Sequence, residues 1–226
     1  MSDDAKAAFA AERAVIGFNS TGTVFAFEQF GRQDGSGFPF SELYYIHTAT
    51  NSFAYSPVKR RIDDERRSIK SARRKARHAA ARLGISPEGF SSPGRLAASQ
   101  AITEEPAPGD IMVFRRFYLP TGEAPKYEVA LMETLAPIAR CADLTQGKEK
   151  KLKLILRNLQ TQIIKVLQDD TAIPASRGCP TDYSISDVVL YDRAGGGTVV
   201  AVLVNVIRFG FEGPDRFFIA ISGELD

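Results

Sequence analysis

Apolar and polar positions along this chain fall into short segments of period two separated by turn residues, and that pattern predicts a protein built mainly of strands. Segments 15–18 and 23–30 flank Asn19, Ser20, Thr21 and Gly22, residues tolerant of positive φ, and read as a hairpin. A glycine-rich loop, DGSGFP at 34–39, follows. Leu43, Tyr45 and His47 then alternate with Tyr44 and Ile46, giving a strand at 42–48 with both faces partly covered, and 51–55 adds a fourth strand. Four short antiparallel strands in succession resemble one blade of a propeller. No second copy of the motif occurs, so one blade-like sheet packed on the rest of the chain is expected rather than a full propeller.

At 59–83 the pattern changes. Pro57 precedes this stretch, Gly84 follows it and no Gly or Pro interrupts it; Ile62, Ile69, Ala76 and Leu83 recur at heptad spacing, with Ala72 and Ala79 between them. This predicts one long helix with a narrow apolar seam. Residues 86–108, rich in Pro, Gly, Ser and Ala, read as a surface connection with a helical turn near 95–101. Strands are expected again at 111–118, 127–135, 152–156, 163–168, 183–191, 198–208 and 216–221. Glycine-rich turns at 195–197 and 213–215 separate the last three, so the chain should end in an antiparallel meander. Both alternate sets across 199–206 are apolar apart from Asn205, which implies a central strand with two buried faces. The expected fold is mainly β, of the α+β class: antiparallel sheets with a blade-like N-terminal meander, one long basic helix and a C-terminal β-meander. A single domain would span 15–226 after a flexible N-terminus at 1–14.

Composition, 44% hydrophobic and 25% charged over 226 residues, is that of a globular protein. Asn205 and Arg208 interrupt the longest apolar run, so no membrane-spanning helix is expected. The net charge of +2 conceals an asymmetry: 59–82 holds eleven basic and three acidic residues, leaving 18 basic and 24 acidic elsewhere. Arg73, Arg74 and Arg77 are the candidate contacts for an anionic partner, either lipid or acidic polysaccharide. Nucleic acid is not expected, because no aromatic residue interleaves the basic run and no nucleic-acid-binding motif is present. The competing reading is a solvated helix face.

Candidate chemistry is sparse. His47 and His78 are the only histidines, and no nucleophile motif accompanies them. Glu28, Asp34 and Glu42 flank or occupy the DGSGFP loop, and a carboxylate pair there would suit a polysaccharide hydrolase. Asp34 capping its own turn is the simpler reading. Phe38 and Phe40, if they stand on the loop surface, would offer a patch to a protein or sugar, and Phe209, Phe211, Phe217 and Phe218 form a second candidate patch. Cys141 and Cys179 lie in no CxxC motif and near no His, so neither zinc nor thioredoxin-like chemistry is expected, and no cofactor.

The GF, FAFE and DGSGFP opening, the basic segment, the two cysteines and the VIRFGFEGPDRFFIA ending together resemble a family of predicted secreted bacterial proteins of unknown function. The resemblance implies a periplasmic or secreted protein. The start, MSDDAKAAFAAERA, lacks the basic and apolar regions of a secretory signal, so the expectation is that a signal peptide has been removed ahead of it. An even cysteine count in an exported protein favours a Cys141–Cys179 disulfide; two unrelated buried thiols in a cytosolic protein is the other reading. The expected function is a non-enzymatic binding protein of the cell envelope, engaging a protein or glycan through Asp34, Phe38 and Phe40, with Arg73, Arg74 and Arg77 favouring an acidic one. A carboxylate-dependent hydrolase of envelope polysaccharide is the enzymatic alternative, and a structural or assembly role is the third.

Overall fold

A computed structural model describes residues 11–90, 92–100, 110–117, 119, 124–210 and 213–225. Among these described residues, twelve strands form three four-stranded antiparallel sheets. The first sheet is the expected meander in the order β1 (Glu12–Phe18), β2 (Val24–Arg32), β3 (Pro39–His47) and β4 (Phe53–Arg61). The second contains the C-terminal meander, β10 (Pro180–Asp192), β11 (Thr198–Arg208) and β12 (Asp215–Glu224), with β5 (Arg95–Ser99) paired to the open edge of β10. In the third, β6 (Ile111–Arg115), β7 (Lys126–Leu135), β8 (Lys150–Asn158) and β9 (Ile164–Asp169) run in sequence order.

Alternation dictates how these sheets stack. Val200, Val202, Val204 and Val206 of β11 pack on Val129, Leu131, Leu154 and Leu156 of the third sheet. Val199, Ala201 and Leu203, on the opposite face, meet Phe18, Phe25, Phe27, Phe40 and Ile46 of the first. The second sheet is therefore the middle layer, and β11 has the two buried faces that its sequence predicts. The outer face of the first sheet, Val24, Ala26, Leu43, Tyr45 and Val58, is covered by helix α1 (Ile69–Arg82) through Ala76 and Ala80. Four layers result.

Three expectations need correction. The long helix over 59–83 is a 14-residue helix, because Val58, Lys59, Arg60 and Arg61 pair with β3 and continue β4 instead. Ser68 accepts a hydrogen bond from the Ser71 backbone and caps α1, so the chain enters the helix only after the acidic turn at 63–65. The helix ends as expected: Gly84 has φ +76, and the Ile85 and Gly84 amides donate to the Ala80 and Ala81 carbonyls. Second, the helical turn expected near 95–101 is strand β5, whose Leu96 and Ala98 lie opposite Val189 and Val188; residues 101–109 lie outside the described residues. Third, β1 starts at Glu12, before the expected Val15, and of the N-terminal tail only 1–10 lies outside the described residues.

Candidate functional site

The basic surface is built from β4 and α1 together. Arg73 and Arg77 do not face solvent freely. Arg73 donates from Nε and Nη2 to the two oxygens of Glu28 at 2.9 and 2.8 Å, Arg77 donates to Oε2 at 3.0 Å, and the Ser41 hydroxyl donates to Oε1 at 2.9 Å. Glu28 is completely buried because it shares the helix-facing side of β2 with Val24 and Ala26. Burial pushes its carboxyl up, but the bonds from Arg73, Arg77 and Ser41 outweigh that and hold it below the ordinary value. The bond to Glu28 in turn raises Arg73, whose guanidinium also lies 3.8 Å from the centre of the Phe30 ring.

Arg74 points elsewhere. With Arg60, Lys75, His78 and Arg82 it lines an open groove between α1 and β4 that ends at exposed Leu83, and no carboxylate lines this groove among the described residues. Adjacent helical residues project about 100° apart, which separates Arg73 from Arg74.

The DGSGFP loop holds its own shape. Asp34 accepts from the Gly35 amide, and Gly35 and Gly37 take φ of +70 and +63. Arg32 ties the loop to the following turn by donating to the Gly37, Glu65 and Arg67 carbonyls. Phe38 is half-buried beneath Arg61. Phe40 does not stand on the loop surface: Pro39 already opens β3, and Phe40 turns into the core at 5% exposure. In the second aromatic patch Phe209 is exposed, Phe217 is half-buried, Phe218 is buried and Phe211 lies outside the described residues.

The carboxylates of the proposed hydrolase do not converge. Glu28 and Leu43 are partners in the β2–β3 register and Gln29 and Glu42 are the next pair, so Glu28 and Glu42 project from opposite faces of one sheet. Glu42 instead accepts from Tyr44 at 2.5 Å and from Gln29 at 2.7 Å, and pairs with Lys59 at 3.2 Å. Burial and the Glu42 charge push the Tyr44 hydroxyl well above its ordinary range. The Gln29 side-chain oxygen, Oε1, accepts from the Phe218 backbone amide, which bolts the first sheet to β12.

Beside this cluster lies a cavity of about 390 Å3 between β2, β3 and β4 on one side and β12 on the other, closed at one end by the β9–β10 connection. Its walls are mainly apolar, with Arg208 and the Glu42 cluster at one side. In the sequence Arg208 stands out only as a break in an apolar run, although a charge at the end of an otherwise buried strand is a signal for such a position.

The family described as predicted secreted protein (DUF2259) matches residues 26–224. The chain belongs to this family. Comparison with curated proteins and with solved structures found no match. Membership of a predicted secreted family places the protein among exported ones, and Cys141 is bonded to Cys179 across a Cα separation of 5.8 Å, in accord with an oxidising compartment. No helix among the described residues is long and apolar enough to cross a membrane.

Proposed function

We propose that this DUF2259 protein is an exported, non-enzymatic binding protein that docks on phosphate-bearing lipid headgroups of the cell envelope through the groove between β4 and α1. One observation carries the reading. Arg60, Arg74, Lys75 and Arg82 line that groove with no carboxylate among them, whereas the neighbouring Arg73 and Arg77 are held by Glu28. A lipid surface is favoured over a sugar chain because the groove contains no aromatic platform and ends in exposed Leu83. Contact is peripheral, since α1 buries alanines inward and presents little apolar surface outward.

Sedimentation with vesicles of anionic phospholipid tests it. Each basic side chain near such a surface contributes about 1 kcal/mol, so Arg74→Gln, Lys75→Gln and Arg82→Gln together should weaken capture roughly a hundredfold. Raising salt should do the same to the unaltered protein. Equal capture by zwitterionic vesicles, or by the triple variant, would refute the reading.

A further inference from the structure

The cavity between the first sheet and β12 is distinct from the basic groove, and its cations are unequally satisfied. Lys59 pairs with Glu42, and Arg177 donates to both oxygens of buried Asp170. The Arg208 side chain makes no hydrogen bond and no ion pair among the described residues; its guanidinium lies 3.6 Å from the centre of the Phe217 ring. Burial lowers its pKa, and the Asp215 and Glu42 carboxylates act on it only through longer-range attraction. An arginine stays charged at any relevant pH, and a half-buried guanidinium with no protein acceptor keeps its donors for an anion that enters the cavity it lines.

We infer that this cavity binds a small amphipathic organic acid, with Arg208 pairing to the carboxylate and the apolar walls holding the tail. Phe27, Ile46, Phe53, Val206 and Ile221 supply those walls, and about 390 Å3 falls within the range of small-molecule sites. A planar guanidinium fixed against an aromatic ring presents its fork in one orientation, which suits a two-oxygen acceptor. Glu42 does not oppose the ligand, because Tyr44, Gln29 and Lys59 already surround its oxygens. The site does not depend on the docking reading.

Calorimetric titration of the full chain with octanoate, 1-octanol and acetate tests this. Octanoate should bind, and acetate should bind far more weakly because it leaves the apolar walls unfilled. Arg208→Gln should weaken octanoate by roughly tenfold to a hundredfold while leaving 1-octanol unchanged. Amide shifts in the unaltered protein on adding octanoate should centre on β3 and β12, a readout that survives if Arg208→Gln fails to fold. Arg74→Gln, Lys75→Gln and Arg82→Gln together should leave octanoate binding intact, so loss of vesicle capture and loss of this site are separable. Octanoate that does not bind, that shifts only α1, or that binds equally to Arg208→Gln would overturn the proposal.

Discussion

The two faces of the β2–β3 pair each hold a carboxylate among cations, and they are built to different ends. On the helix side, Glu28 is sealed beneath α1 and takes four hydrogen bonds from Arg73, Arg77 and Ser41. On the core side, Glu42 is half-buried and borders a cavity, with Tyr44, Gln29 and Lys59 around it. The first cluster has its carboxylate fully buried and fixes the helix on the sheet. The second borders space large enough for a ligand. Carboxylates near cations are thus not interchangeable signs of function; what surrounds the cluster decides its role.

The largest effect should come from unpairing Glu28. Arg73→Met leaves a fully buried carboxylate with only Arg77 and Ser41, and should destabilise the fold by about 3 kcal/mol in urea denaturation. A loss under about 1 kcal/mol would mean that the cluster does not fix α1. The same cluster sets an acid limb. Glu28 has its pKa lowered from 4.5, so its contribution is fully present above pH 4.5 and is lost as pH falls through the lower folded value. Glu28→Gln should remove that limb from a plot of stability against pH while lowering stability at neutral pH; an unchanged limb would assign acid sensitivity to other groups.

How much of this was legible in the sequence depends on the distance over which each feature is decided. The C-terminal strands, including doubly buried β11, follow from local alternation and glycine-rich turns, and all appear where expected. The 59–68 stretch misled because a basic edge strand and a basic helix face share one composition; the discriminating residue was Ser68, a capping residue in plain view. Glu28 was legible too. It falls in the alternate set Val24, Ala26 and Phe30, which puts a charge on an apolar face and demands a partner. The cavity was not legible, because it depends on how far β12 stands from β3 and on Phe217 lying beneath Arg208, facts that arise only when sheets distant in sequence meet.

Tyr44→Phe probes the other face and should have an intermediate effect. Its hydroxyl donates to Glu42 and accepts from Gln29 at 3.2 Å, so removal deletes one charge-assisted bond, but Glu42 keeps Lys59 and Gln29 and the adjoining cavity admits water. About 1 kcal/mol is expected from the urea midpoint. A loss as large as that of Arg73→Met would erase the difference between the two faces and make the Glu42 cluster a fixing element as well.

The smallest effect on stability belongs to Arg74→Gln, and it sharpens the comparison most. Arg73 and Arg74 are neighbours on one helix with the same charge, yet one is bonded to Glu28 and the other lines the open groove. With no hydrogen bond or ion pair among the described residues to lose, Arg74→Gln should change stability by less than about 0.5 kcal/mol. Capture by anionic vesicles should nevertheless fall about fivefold, the effect of removing one surface charge. Arg73→Lys supplies the converse: it keeps the charge but loses the two-pronged bond to Glu28, so stability should drop while capture by the folded protein holds. If instead both positions altered stability and capture in parallel, charge on α1 would be acting as a whole, and the division between a fixing face and a docking groove would fail.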